Sequence, residues 1–196
     1  MLYCLVRGLL KILLLILGLK REGVHNLPNQ GPIIVASNHV SNWDPIIVAI
    51  SIHRPVYFMA KSELFKNVIL GKLILNLNAF PVKRGGADKN AIKTALMLLE
   101  EGKILGIFPE GSRNRLTGES KVQQGVAMLS IRSNAPVIPI ACIGTRRFLP
   151  IGWLSPVKIV FGRPIYPRDP NGERIYSNTE ELSKKVMDEI RNLMII

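Results

Sequence analysis

Apolar positions along this chain fall into two rhythms that alternate from end to end. Short β-branched runs occupy Ile33 to Ser37, Val56 to Ala60, Ala79 to Val82, Ile104 to Phe108, Val137 to Ala141 and Val157 to Phe161. Each is bounded by Gly, Pro, Asn or Asp and predicts a strand. Helical patterns lie between most of them. Strands alternating with helices predict an α/β fold, a central mostly parallel or mixed sheet flanked by helices.

Three helices have recognisable ends. Pro45 to Ile52 reads as a helix with Asp44 at its cap and Pro45 at its first position, where the missing N–H costs nothing. Asp88 to Glu101 places Ile92, Ala95, Leu96 and Leu99 on one face, and Gly102 is positioned to stop it. Asn178 with Glu181 three residues on forms a capping-box pattern, opening a last helix with Leu182, Val186, Ile190 and Leu193 inward. Pro and Gly cluster between Pro150 and Gly172, which marks loops around one late strand. The chain has no internal repeat and no low-complexity tract.

Met1 to Leu19 is mostly apolar but carries Arg7 and Lys11. The uninterrupted part, Ile12 to Leu19, is far shorter than the ~20 residues that cross a bilayer. Arg7 and Lys11 lie four apart, on one helical face, so they can snorkel while Leu5, Leu9, Leu13 and Ile16 enter the acyl boundary. Residues 1–21 therefore read as an interfacial membrane helix, with Lys20 and Arg21 at the headgroups. A helix buried on the core is the alternative. No small-residue cleavage site precedes Lys20, which disfavours a signal peptide. Residues 22–196 read as one domain, and the chain is expected to be peripheral or monotopic at the cytoplasmic face of the cell membrane.

The chain has 196 residues, enough for one substantial core. Its 26 basic and 14 acidic residues leave a net charge of +12, which calls for an anionic partner. Nucleic acid is disfavoured: the chain has no zinc-finger spacing, no basic-region heptads and no aromatic RNA-binding signature. An acidic membrane or a phosphorylated substrate remains. Cys4 and Cys142 lie far apart in apolar surroundings and read as reduced, buried or lipid-facing thiols.

The candidate chemistry sits at strand ends. Asn38-His39-Val40-Ser41-Asn42-Trp43-Asp44 follows the first strand and sets a histidine five positions before an aspartate. Imidazole, with an unperturbed pKa of ~6.5, suits a general base near physiological pH, and a carboxylate on its other nitrogen fixes the tautomer. Lys83-Arg84-Gly85-Gly86 follows the third strand, two cations before backbone able to approach a phosphate closely. Phe108-Pro109-Glu110-Gly111-Ser112-Arg113 follows the fourth. Gly111 lets that turn tighten, Arg113 offers a planar fork for phosphate, and Glu110 can pair with a cation or a hydroxyl. His25 and His53 have no acidic partner at a useful spacing and read as structural or exposed. No third ligand joins His39 and Asp44, so no metal centre is expected.

These tracts, with Val137-Ile138-Pro139-Ile140 after them, resemble the four signature motifs of the glycerolipid acyltransferases in the family's order. The likeness covers about Asn26 to Gly162, and its first and third motifs are the most specific. Ser120-Lys121-Val122-Gln123-Gln124-Gly125 departs from the usual form, in which an aromatic and a lysine precede the glycine. The resemblance implies an α/β acyltransferase domain that moves a fatty acyl chain from a thioester, acyl-coenzyme A or acyl-carrier protein, to the free hydroxyl of lysophosphatidic acid. It implies His39 and Asp44 as catalytic groups and Lys83, Arg84 and Arg113 as phosphate ligands. Asn38, Glu110, Gly111 and Ser112 are implied as supporting residues, with no cofactor beyond the thioester. The fourth motif is expected to line a pocket, with Pro139 confining its strand to an edge or bulge. Rival readings are acylation of glycerol 3-phosphate or another lysophospholipid, and a membrane lipid-binding protein without catalysis.

Overall fold

Hydrophobic runs buried on both faces form the middle of a seven-stranded sheet. The computed structural model describes residues 7–10, 12–13, 18–83, 88–109, 124–147 and 157–195. The strands are β1 (Lys20–Glu22), β2 (Ile33–Ser37), β3 (Val56–Lys61), β4 (Ala79–Val82), β5 (Ile104–Ile107), β6 (Val137–Ile143) and β7 (Lys158–Phe161). The helices are α1 (Asp44–Ser51), α2 (Val68–Asn76), α3 (Lys89–Glu100), α4 (Gly125–Ser133) and α5 (Thr179–Leu193). Sheet order is β1-β7-β6-β2-β5-β3-β4, with every neighbouring pair parallel except β6 and β7.

All five residues of β2 are buried, as a parallel strand covered on both faces requires. Its side chains alternate between two cores. Ile33 and Val35 join Ile47 and Val48 of α1 with Ile138, Ile140 and Phe161. Ile34 and Ala36 join Ala95 and Leu99 of α3, Leu129 of α4 and Leu182, Val186 and Ile190 of α5. α5 thus buries all four residues expected of it, whereas in α3 Ala95 and Leu99 are buried together with Leu98 while Ile92 and Leu96 are half-buried against the same core. α3 ends where Gly102 takes φ 71°, with Gly102 N–H donating to Leu99 O at 2.9 Å and Lys103 N–H to Leu98 O at 3.0 Å. At α5, Asn178 Oδ1 accepts from Glu181 N at 2.9 Å, but Glu181 Oε2 turns to Ser177 N–H instead of closing the reciprocal bond.

Three sequence expectations change. Lys20 and Arg21 belong to β1, which pairs with β7 and is held by a Lys158–Glu22 ion pair of 2.9 Å, so the helical reading does not extend to residue 21. Residues 7–10 and 12–13 are helical, and Leu10 packs on the first core while Leu9, Ile12 and Leu13 are exposed. Leu5, Lys11, Ile16 and Cys4 lie outside the described residues. Asp44 is the first helical residue, preceded by Trp43, and its side chain does not cap α1.

Pro139 sits inside the sheet, between β7 and β2, rather than at an edge. Its carbonyl accepts from Gly162 N–H at 2.8 Å, and a strand residue directs its nitrogen and carbonyl to the same neighbour. The proline nitrogen therefore faces the point where β7 has just ended, and β2 loses no donor. Gly162 accommodates the ring, since a Cβ there would lie 2.7 Å from Pro139 Cγ. In the fourth tract, Val137, Ile138 and Ile140 are wholly buried in the two cores.

Candidate active site

The loop between β2 and α1 is tied down before it delivers its histidine. Asn38 is buried, its Nδ2 donating to Cys142 O at 2.9 Å and its Oδ1 accepting from Cys142 N–H at 2.8 Å. This side-chain amide continues the β2–β6 pairing one step past the last paired residue, Ser37. Ser37 Oγ adds a 3.1 Å bond to Asn38 O. Asn38 thus positions the loop.

One residue on, His39 Nδ1 lies 3.0 Å from Asp44 Oδ2. The same oxygen accepts from the backbone N–H groups of Val40 and Ser41, both at 2.7 Å. A turn of the loop therefore wraps the carboxylate, and the five-residue spacing is what lets the chain close around it. Asp44 is wholly buried, while 14% of the His39 side chain is exposed. With Nδ1–H donating to Asp44, Nε2 carries the lone pair and can act as a base. Asp44 Oδ1 has no hydrogen-bond partner among the described residues.

The imidazole face is held by a stack built from β3 and β5. Gly106 lets the Phe58 ring cross β5, since a Cβ there would come within 2.3 Å of that ring. Phe58 stacks on Phe108, with centroids 5.9 Å apart, and Phe108 stacks on His39 at 4.2 Å. Sequence reading named neither aromatic as a functional group. The signal was the placement of Phe108 at the start of the third tract. Cys142, beside Ser37 and Asn38, is no rival nucleophile: burial, and secondarily the Asp44 charge, push its thiol up to about 12 despite the Ser37 bond.

The parallel strands β2, β5, β3 and β4 end on one rim, so His39, Phe108 and Lys83 emerge together. Lys83 is exposed, and its N–H donates to Asp88 Oδ2 at 2.9 Å. Asp88 also caps α3 through Asn90 and Ala91, so one carboxylate ties Lys83 to the start of α3. The Lys83 amide first, then that of Ala91, hold its carboxyl below the usual range. Three inter-strand steps, about 14 Å, separate β4 from β2, so only the far end of a long side chain there comes near a group beside His39. Arg84, Glu110, Gly111, Ser112 and Arg113 lie outside the described residues. His25 and His53 are exposed. Among the described residues no three His, Cys, Asp or Glu side chains gather to hold a metal ion.

At the carboxyl rim of this mixed, covered sheet, the aspartate-oriented histidine is a site that can activate a hydroxyl as a nucleophile. The chain belongs to the acyltransferase family, whose model matches residues 18–143. Over 177 residues it is 31% identical to a 1-acyl-sn-glycerol-3-phosphate acyltransferase of Bacillus subtilis, covering 87% of each chain. It is 29% identical to the protein of that name from Borreliella burgdorferi, covering 74% of this chain and 60% of that one. Its fold matches the crystal structure of the 1-acyl-sn-glycerophosphate (LPA) acyltransferase PlsC from Thermotoga maritima with a TM-score of 0.70 and 27% identity, over 89% of this chain and 70% of that one.

Proposed function

We propose that this protein acylates the free hydroxyl of lysophosphatidic acid, giving phosphatidic acid at a membrane surface. The observation that carries the reading is the 3.0 Å His39–Asp44 pair at the carboxyl rim of the sheet, in a chain whose relatives bear the name of that activity. His39 Nε2 takes the hydroxyl proton as the oxygen attacks the thioester carbonyl. Asp44 stabilises the imidazolium. The carbon–sulfur bond then breaks and the thiol leaves with the proton from His39. No covalent acyl-enzyme forms and no cofactor enters beyond acyl-coenzyme A or acyl-carrier protein.

The acceptor phosphate is assigned to Arg84 and Arg113 with Lys83, and Glu110, Gly111 and Ser112 to the turn that presents Arg113. Each arginine contact is worth ~1.5 to 3 kcal/mol, so Arg113→Ala raises the apparent acceptor KM roughly 10-fold to 150-fold. We assign the protein a peripheral association with the membrane; among the described residues no helix is long and apolar enough to cross it. The test is transfer of a labelled acyl chain by the purified full chain from each donor to lysophosphatidic acid, glycerol 3-phosphate and other lysophospholipids. His39→Ala loses at least ~10²-fold in turnover. Transfer to none of these acceptors, or near-wild-type turnover by His39→Ala, refutes the reading.

A further inference from the structure

The crossover from β3 to β4 leaves its helix uncovered. In α2, Val68 and Ile69 are 68% and 84% exposed, and Leu70, Leu73 and Leu75 are exposed with them. Leu64, in the 3-10 turn Ser62–Lys66 that leads in, is also exposed. Only Gly71 of this helix is buried, pressed so close to the backbone of Phe65 that a Cβ would sit 3.0 Å from its carbonyl oxygen. Asn67 caps the first turn through Leu70 N–H at 3.0 Å. The helix is therefore preformed and docked through one side, with its apolar residues turned outward.

Such a face needs a partner. Lys66 and Lys72 flank it, both exposed and without ion-pair partners among the described residues, whereas Glu63 is paired with Lys61. Lysine is depleted in protein interfaces, which also take ~20–30 residues a side, far more than this patch of six apolar side chains provides. Leucine and isoleucine framed by snorkelling lysines suit an anionic lipid surface.

The topology agrees. The β2–α1–β3 and β3–α2–β4 connections advance across the sheet in the same direction, and right-handed crossovers place α1 and α2 on the same face. That face also carries the helical residues 7–10 and 12–13, where Leu10 packs on the α1-side core and Leu9, Ile12 and Leu13 are exposed. The turn entering α2 leaves β3 at the rim that carries His39.

We infer that the first turn of α2, Val68-Ile69-Leu70 with Leu64 and Leu73, inserts into the headgroup–acyl boundary of an anionic phospholipid bilayer, a membrane contact separate from the amino-terminal segment. The inference rests on the reading above in that the bilayer is where the acceptor lipid resides. The probe is co-sedimentation of the full chain with phosphatidylcholine vesicles, with and without phosphatidylglycerol. Ile69→Glu lowers vesicle partition at least about 10-fold, the factor for losing the burial of one large aliphatic side chain, ~1.5 kcal/mol. Met97→Glu, at an exposed apolar position on α3 across the sheet, leaves it unchanged. The milder Ile69→Ser gives a smaller loss in the same direction with unchanged thermal melting.

Turnover follows partition for long-chain acceptor embedded in vesicles and stays at the wild-type value for a dispersed short-chain acceptor. Wild-type partition by Ile69→Glu overturns the inference. So does an Ile69→Glu effect confined to dissociating a dimer, with vesicle binding intact. An inactive wild-type chain would refute the proposed reaction while leaving the vesicle readout to decide this contact.

Discussion

Replacing Asp44 by asparagine separates the charge of this residue from its architecture. The Asn side-chain oxygen can occupy the Oδ2 position and keep the bonds to Val40 N–H, Ser41 N–H and His39 Nδ1. Its NH₂ falls where Oδ1 already lacks a partner among the described residues. The fold should therefore survive, with a melting temperature within a few degrees of wild type. What disappears is the attraction between carboxylate and imidazolium as the proton transfers. With an N···O distance of 3.0 Å and charge centres about 4 Å apart, Coulomb's law at an effective dielectric near 20 gives ~4 kcal/mol. That is about 10³-fold in turnover, and the matched change in serine-protease triads costs about 10⁴-fold. The assay is transfer of labelled acyl chain at saturating acceptor, beside circular dichroism of the same preparations. Turnover within tenfold of wild type, in a protein that melts normally, would refute the catalytic role of the pair. Asp44→Ala should differ in kind: it strips the Val40 and Ser41 amides of their acceptor, at about 1–3 kcal/mol each, and lowers stability and activity together.

Other perturbations test the scaffold around the pair. Asn38→Leu leaves the Cys142 N–H and carbonyl unpaired in the core and should cost about 2–5 kcal/mol of stability in urea melts; a loss below 0.5 kcal/mol, a ~0 on this scale, would contradict its tethering role. Phe108→Ala removes the stack on His39, worth about 0.5–1.5 kcal/mol, so turnover should fall roughly 2-fold to 13-fold with KM little changed, and an unaltered rate would contradict it. The Cys142 thiol is held up at about 12 from an ordinary 9.0, so above pH 9 the unfolded chain releases a proton that the folded one keeps. Stability is then fully present below pH 9 and should drop by up to ~4 kcal/mol between pH 9 and 12. Cys142→Ala should lack that component, and parallel alkaline unfolding curves for the two proteins would exclude it.

Much of this fold could be read along the chain because its signals are local. β2 is a continuous apolar run whose neighbours cover it on both faces, Gly102 and Asn178 mark helix ends through their own backbone preferences, and His39 and Asp44 lie within one loop. The residues that hold the pair in place could not be read this way. Asn38 reads as a ligand or a polar loop residue until Cys142, 104 positions later, is seen beside it. Gly106 reads as a weak point in a strand until Phe58 is found lying over it. Pro139 reads as an edge residue until the end of β7 is located at Gly162.

Local rhythm and spacing, then, suffice to name six of the seven described strands, the end of α3, the start of α5 and the acid–base pair, because each depends on residues within a turn or two of one another. Strand order lies beyond their reach, since the partners of β6 are separated from it in the chain and chosen by how whole faces pack. That choice puts a proline in the sheet interior, joins Lys20–Glu22 to β7, stacks Phe108 on His39 and leaves α2 with its apolar side outward. Packing free energy belongs to surfaces brought together over long stretches of chain, and only the folded molecule shows which surfaces those are.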